Sequence, residues 1–423
     1  MTTRTNLTRR QTLTLAAGAA AGTVIGPRWA SAQAAPIRIG QQADMTGFLS
    51  VYGVAFDTGA KAAISYINER GGIAGRRVEY VLEDTASDVP TGVRKFRKLV
   101  ENDACDFVFG ATHSGINLAS NPVAKELKTL YFPQGEASET TGDKANRYVF
   151  RIRQHSTIQG QASVAYALQN LGKNWTFIIT DYAYGQSFVN DLAPMVEAGG
   201  GKVLGRIAVP VNTPDIIPFI ANVPRDTNVL FSVFAGPDAL RYMRESYNLG
   251  LSRRMARLAP WGMIDATSLK GIEEPLEGAH FLSHSQRYLD QVPANLRPFV
   301  AQARQLMGIN DDATLKSDPN RLIATSYYLC TWQGIFLLKD AIEKSGWKGK
   351  ADNAALIQAL EGFQGKASLA YPMGDFVMRP QDHQAFQTLW IEKVEKGKLV
   401  TVAEVTHDKT QFKPVVDLTK EAI

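Results

Sequence analysis

The chain has 423 residues, of which 45% are hydrophobic and 21% are charged, and this composition excludes an intrinsically disordered protein. Its formal net charge is +5, but residues 1–32 hold four arginines and no acidic residue, which leaves 42 basic and 41 acidic residues in the remainder. A net charge of +1 for that remainder lacks the electrostatic signature of a protein that binds nucleic acid or an anionic membrane.

The N-terminus is predicted to be an export signal. Two arginines in "TRRQTL" precede a short apolar run, "LTLAAGAAAGTVI", and the small residues "ASA" follow at 30–32. The run is too short for a membrane span, so we expect residues 1–32 to be a cleaved signal peptide and the mature protein to reside in the periplasm. The arginine pair resembles a twin-arginine signal, although Thr12 replaces its usual larger apolar residue, so twin-arginine and Sec export both stay open.

Strands and helices alternate from residue 36 onward. The runs "PIRIG" (36–40) and "VEYVL" (78–82) bracket a helical pattern over 54–70, which Gly71 and Gly72 end. Asp88, with Pro90 two positions on, is the expected N-cap of the next helix, which leads into the strand "DFVFG". This order is typical of a parallel sheet covered by helices.

The same alternation continues through "LYFP", "TFIIT", "VLGRIAV" and "NVLFSVF", with helices predicted over 157–171, 187–198 and 238–249. Two extended segments, "FRIRQHST" (150–157) and "AHFLSHSQ" (279–286), are candidate crossovers between lobes. Ligands of open parallel sheets bind at the carboxyl ends of the strands, so we expect function in the loops "GATHSG", "PQGEAS", "TDYAYG", "VFAGP" and "APWGM".

Four blocks carry a resemblance to a known family: "DMTGFLSVYG", "AISYINERGGIAGRRVEYVLEDTASD", "FRKLVENDACDFVFG" and "TDYAYGQS". In order and spacing they resemble the leucine/isoleucine/valine-binding family of extracytoplasmic solute receptors of ABC importers, over nearly all of residues 36–405. The resemblance implies an α/β fold of two doubly wound, Rossmann-like lobes joined by a three-segment hinge, the type I periplasmic-binding-protein fold. The expected lobes comprise 36–153 with 284–365 and 154–283 with 366–410.

The resemblance also implies where the ligand binds. Ser114 matches the serine that receives a ligand carboxylate, Ala137 and Ser138 complete that cradle, and Tyr52 and Tyr184 face the ligand from the two lobes. Each tyrosine has core packing as its alternative, and Ser114 could instead cap a helix. The predicted ligand-binding residues are Tyr52, His113, Ser114, Ala137, Ser138, Tyr184, Phe234 and Trp261.

The ligand class is inferred from one position at which this sequence differs from the family pattern. Amino-acid receptors of this family carry a glutamate after the proline of the "APWGM" loop, which pairs with the ligand's ammonium, whereas Trp261 stands here. We therefore expect a carboxylic acid or amide rather than an α-amino acid, unless Glu136, Asp181 or Asp238 takes over the pairing. Glu136 is expected to face solvent, and the alternative for Trp261 is the lobe core.

Catalytic and metal-binding functions are disfavoured. The chain has no G-x-S-x-G elbow and no phosphate-binding or H-E-x-x-H motif, and neighbours on an extended segment such as His113 and Ser114 point to opposite sides. We expect a monomeric, non-enzymatic receptor without cofactor, metal or nucleic acid, whose partners are a small organic ligand and the permease subunits of an ABC transporter. A periplasmic sensor module and an exported α/β hydrolase are the alternatives.

Overall fold

The alternation of strands and helices predicted from the sequence is present in the computed structural model, which describes residues 35–423. The predicted signal peptide, residues 1–32, lies outside the described residues. Up to residue 132 the elements are β1 (Ile37–Ala43), α1 (Ser50–Asn68), β2 (Val78–Asp84), α2 (Val89–Arg97), β3 (Phe107–Phe109), α3 (Ser114–Glu126) and β4 (Leu130–Phe132). From 156 to 283 they are α4 (Ser156–Asn170), β5 (Asn174–Thr180), α5 (Ala183–Ala198), β6 (Lys202–Val209), α6 (Ile217–Ala221), β7 (Val229–Val233), α7 (Gly236–Asn248), β8 (Ala256–Pro260), α8 (Glu273–Leu276) and β9 (His280–Ser283).

The chain then adds a second set of helices and short antiparallel strands. These are α9 (Arg297–Met307), β10 (Thr314–Leu315), β11 (Asp318–Leu322), α10 (Thr325–Ser345), α11 (Asn353–Leu360), β12 (Gln364–Gly365), β13 (Phe376–Arg379), β14 (Gln384–Gln387), β15 (Leu389–Glu395) and β16 (Lys398–Val405). None of the helices in residues 35–423 is long and apolar enough to span a bilayer.

Local sequence explains where the first helices begin and end. The Asp88 carboxylate accepts a hydrogen bond from Thr91 N at 2.8 Å and caps α2, as predicted. Gly72 follows α1 with φ +78°, and a Cβ there would lie 2.0 Å from Arg76 O. Only glycine fits this turn, which sends the chain from α1 directly into β2.

Two sheets form the centres of two lobes. The first has the order β2-β1-β3-β4 and is parallel throughout, with Ile39 opposite Phe107 in register. The second has the order β6-β5-β7-β8-β9-β15-β16, in which the first five strands are parallel and the β15–β16 hairpin is antiparallel. This arrangement confirms the predicted α/β class with two wound lobes.

The hydrophobic cores show which segments belong to each lobe. The first core gathers side chains from β1, α1 and β3 together with the long helix α10, whose residues are buried from Thr325 to Leu338. Side chains from Tyr371 to Ala385 also belong to the first core. The second C-terminal segment of the second lobe, predicted to start at residue 366, therefore starts later, because the chain returns to the second sheet only with β15.

Three segments connect the lobes. The chain passes from the first lobe to α4 through residues 151–155, returns after β9 through 284–287, and crosses again between β14 and β15. The Gln384 side chain accepts from Arg151 Nε at 2.8 Å and donates to Arg153 O at 2.9 Å, which ties the first crossing to the third. The two cysteines, Cys105 and Cys330, are buried free thiols.

Candidate functional site

All five loops selected from the sequence meet at one cavity between the lobes. Its volume is about 10 Å³, the space of roughly one water molecule, so a larger ligand requires the lobes to separate. The loops contribute Thr112, Glu136, Tyr182 with Tyr184, Ala235 and Gly262, and helices α1 and α10 add Tyr52 and Tyr327.

Four tyrosines form two pairs, one on each side of the cavity. In the first lobe the ring centroids of Tyr52 and Tyr327 are 5.0 Å apart, and in the second lobe those of Tyr182 and Tyr184 are 5.8 Å apart. Burial raises the pKa of each of the four phenols above its ordinary value, so all four are neutral at physiological pH. The cavity thus places neutral aromatic rings from both lobes around a ligand.

The Tyr52 hydroxyl joins the two lobes directly. It donates to Gly262 O at 2.6 Å and accepts from Gly236 N at 3.3 Å, and both glycines belong to the second lobe, Gly262 after β8 and Gly236 at the start of α7. A second link runs from Asp265 to the start of α10, where its carboxylate accepts from Thr325 N at 2.6 Å and from Ser326 N at 3.1 Å. These bonds hold the lobes together around the cavity.

Glu136 is the acidic residue of the cavity, and the expectation that it faces solvent is wrong. Its side chain is 2% exposed and accepts from Arg153 Nε at 2.9 Å, from Arg153 Nη2, and from Gln159 Nε2 at 2.8 Å. Arg153 also donates to Ser326 Oγ at 2.9 Å and lies 3.8 Å over the Tyr327 ring. Because Arg153 and Gln159 supply donors from the first crossing and α4, the carboxylate is stable away from water.

The residues predicted to form a carboxylate cradle make contacts inside the protein. Ser114 Oγ accepts from Ala137 N at 3.2 Å, and Ser138 bonds Ser187 through both its N, at 2.9 Å, and its Oγ, at 3.1 Å. Ser114 does not cap α3 either, because the His113 ring holds that position and accepts from Ile116 N. The hydroxyls of Ser114 and Ser138 therefore bond protein groups, and neither residue lines the cavity.

His113 lies beside the cavity. Its ring packs between Phe48 and Tyr182, with centroid distances of 5.7 and 5.2 Å, and burial lowers its pKa to about 4. The ring is therefore neutral at physiological pH, and its one described hydrogen bond goes to the backbone of α3. This arrangement is that of a helix cap.

Phe234 and Trp261, which were predicted to contact the ligand, lie in the second-lobe core and not in the lining of this cavity. Phe234 stacks on Tyr242 at a centroid distance of 4.4 Å, and Trp261 is fully buried in the same cluster. The alternative reading of Trp261 is the correct one, and Gly262, the next residue, reaches the cavity instead.

Six residues that the predicted set did not contain line the cavity: Thr112, Glu136, Tyr182, Ala235, Gly262 and Tyr327. Thr112 and Tyr182 belong to loops that the sequence selected, so only the choice of residue within each loop was missed. Tyr327 lies on a helix that is buried on its whole circumference from Thr325 to Leu338, and this burial does not distinguish a core tyrosine from a ligand contact.

Buried polar groups also gather where the second crossing meets β15. The Glu392 carboxylate is completely buried and has no hydrogen-bond partner among the described residues, because the Ser283 hydroxyl nearby donates to Ser285 O. Burial, reinforced by the charge of Asp265, raises the Glu392 pKa to about 7, although Ser283 and Arg287 lower it. This carboxyl therefore titrates near neutral pH inside the folded protein.

Comparison with known proteins identifies relatives over most of the chain. The profile of a family described as "Periplasmic binding protein" matches residues 36–398. The Leu/Ile/Val/Thr-binding protein of Salmonella typhimurium is 28% identical over 268 residues, which cover 62% of this chain and 71% of that protein. The Leu/Ile/Val-binding protein homolog 4 of Brucella abortus is 23% identical over 402 residues, covering 90% and 88%.

Solved structures show the same fold. A solute-binding protein of an ABC transporter from Rhodopseudomonas palustris BisB5, in complex with 3,4-dihydroxybenzoic acid, superposes with a TM-score of 0.74 at 22% identity, covering 88% of this chain and 98% of that one. A leucine-binding protein from Thermotoga maritima superposes with a TM-score of 0.71 at 21% identity, covering 88% and 99%. At these identities the likeness establishes the architecture.

Proposed function

The chain belongs to the periplasmic binding protein family, and from this membership we propose that it is the solute receptor of an ABC importer. It captures one small organic molecule between its lobes in the periplasm, as a monomer, and delivers that molecule unchanged to the permease subunits. The observation that carries the proposal is the cavity lined from both lobes, with Tyr52 bonded across it to Gly262. A ligand larger than this cavity enters with the lobes apart and, once contacted from both of them, favours a form in which they are closed around it.

The cavity also indicates what the ligand offers. Two tyrosine pairs provide broad apolar faces, and the hydroxyls of Thr112 and Tyr184 are buried without a hydrogen-bond partner among the described residues. A molecule with a compact hydrocarbon part and one or two polar groups satisfies both features. The related protein from R. palustris was crystallised with a dihydroxybenzoic acid, a molecule of this size.

The residues on which the expected carboxylic-acid ligand depended do not line this cavity. That expectation depended on Trp261 replacing the acidic partner of an ammonium and on the hydroxyls of Ser114 and Ser138 receiving a carboxylate. Trp261 is in the core, both hydroxyls bond protein groups, and Glu136 places a carboxylate in the cavity.

The histidine and serine at the start of α3 are not arranged for nucleophilic catalysis. The His113 ring caps α3, while the adjacent Ser114 hydroxyl accepts a backbone N–H, so the two do not form a base and nucleophile pair. The proposal therefore includes binding without chemical change of the ligand.

The experiment is to purify the exported protein and identify small molecules that copurify with it by native mass spectrometry. Any molecule found is then added back to ligand-free protein, where a concentration of about 100 times the dissociation constant should raise the free energy of unfolding by roughly 2.7 kcal/mol. The same incubation is followed by mass spectrometry for a day. Conversion of the added molecule into a product would overturn the receptor proposal in favour of an enzyme.

A further inference from the structure

The side chains that line the cavity carry a single charge, and it is negative. In the described part of the chain the lining consists of four neutral tyrosines, Thr112, Ala235, Gly262 and the ionisable Glu136. Arg153 does not line the cavity, and its Nε, Nη1 and Nη2 all donate to protein oxygens. An anionic ligand would therefore meet a carboxylate and find its basic partner already engaged.

With Glu136 included, the acidic groups in and behind the lining are more numerous than the basic ones. Asp44 accepts from Thr112 N at 2.8 Å, and Asp265 bonds Ser326, which also accepts from Arg153. Arg287 lies near Asp265 and lowers its pKa, although burial makes the net shift upward. The acidic groups around the cavity are thus Asp44, Glu136 and Asp265, and the basic groups are Arg153 and Arg287. Acidic groups therefore outnumber basic ones.

Aromatic faces add to the attraction for a cation. The face of a neutral phenol ring is negatively polarised, and a cation within about 6 Å of the ring centroid is stabilised by it. The protein already uses one of these rings in this way, since the Arg153 guanidinium lies 3.8 Å over Tyr327. The Tyr182–Tyr184 pair has no such internal cation among the described residues, and it borders the cavity beside Glu136.

The hydrogen-bonding groups distinguish the kind of cation. A primary ammonium has three N–H donors to satisfy. The Glu136 oxygens already accept three N–H bonds and Gly262 O accepts the Tyr52 hydroxyl, so, among the described residues, the unpartnered hydroxyls of Thr112 and Tyr184 offer two acceptors for three donors. An alkylated ammonium has few or no N–H groups and is stabilised by aromatic faces and a nearby carboxylate.

Resting on the solute-receptor function proposed above, we infer that the ligand carries an alkylated ammonium group, held between the Tyr52–Tyr327 and Tyr182–Tyr184 pairs and next to Glu136. The lobes close over this group, so that one tyrosine pair covers it from each side. The alkylated ammonium group is selected by the Glu136 carboxylate and the faces of the tyrosine rings, and not by hydrogen bonds that its own N–H groups donate.

The test compares two probes of equal shape. Choline and its uncharged carbon analogue 3,3-dimethyl-1-butanol are added to the ligand-free exported protein, with benzoate and leucine as further probes, and binding is measured by calorimetry and thermal shift. Choline should bind at least about tenfold more tightly than the uncharged analogue, because only choline gains from Glu136 and the rings. Equal binding of the two, or no binding of choline, would overturn the inference.

Matched variants separate ring contacts from general damage. Tyr184→Phe removes the hydroxyl but keeps the aromatic face, whereas Tyr184→Leu removes both, so choline affinity should fall by about tenfold or more further in Tyr184→Leu than in Tyr184→Phe. Equal losses in both variants would contradict a role for the ring face. The melting temperature of each variant without ligand reports whether it folds.

The outcomes also separate this inference from the receptor proposal. Stabilisation by benzoate or leucine without choline would refute the alkylated ammonium and leave a solute receptor for another ligand. Chemical conversion of a copurified ligand would refute the receptor itself.

Discussion

Tyr52→Phe removes the hydroxyl that joins the lobes while keeping the ring. In the closed protein this hydroxyl donates to Gly262 O at 2.6 Å and accepts from Gly236 N at 3.3 Å, and the residue is 2% exposed. The phenyl ring remains packed on Tyr327, so the first-lobe core loses no apolar contact. The substitution therefore acts on lobe closure rather than on the fold of either lobe.

The magnitude follows from the bonds lost. Each buried hydrogen bond contributes about 1 kcal/mol net, and a buried group left without a partner costs about 1–3 kcal/mol. When the lobes open, Gly262 O and Gly236 N can bond water, so the penalty falls on the closed form alone. We expect the closed form to be destabilised by about 1–3 kcal/mol, which weakens ligand binding by roughly 5- to 150-fold.

Small-angle scattering and calorimetry measure the two consequences. The ligand-free variant should have a larger radius of gyration than the wild type, and its affinity for the copurified ligand should fall by the factor given above. Tyr66→Phe is the matched control, because Tyr66 lies on the same helix and packs on Trp332 within the first lobe. An unchanged radius of gyration together with an affinity within twofold of the wild type would refute this account of closure.

Two further substitutions test single side chains. Glu392→Gln should remove a pH dependence of the free energy of unfolding. The pKa of the wild-type carboxyl is about 7 in the folded protein and 4.5 when exposed. The free energy of unfolding of the wild type should therefore fall by on the order of 3 kcal/mol as the pH rises from 4.5 to 7. Urea unfolding at pH 5 and pH 8 measures it, and an equal loss in the variant would contradict the assignment. Ser114→Ala should lower the free energy of unfolding by about 1 kcal/mol, because Ala137 N loses its acceptor, and should leave affinity within threefold. A large loss of affinity at unchanged stability would instead place the Ser114 hydroxyl on the ligand.

The elements and the location of the site were predictable because both follow from local patterns. Apolar spacing and caps such as Asp88 specify helices and strands, and parallel strands bring the loops at their carboxyl ends to one edge. All five loops selected in this way reach the cavity, together with Tyr52. The family resemblance, which the profile match over residues 36–398 confirms, added the two-lobe arrangement.

The sequence by itself determined which loops meet, and only the tertiary structure decided which side chain of each loop faces the cavity. In the short 3-10 helix Trp261–Met263 after β8, Trp261 lies in the core and Gly262 borders the cavity, and apolar character alone does not distinguish these directions. Glu136 is buried because Arg153, 17 residues away on the first crossing, supplies its charge partner. Tyr327 completes the first tyrosine pair from the start of α10, after the chain has passed through the second lobe and returned. Such contacts depend on packing between distant segments, which periodicity and spacing along the chain do not record.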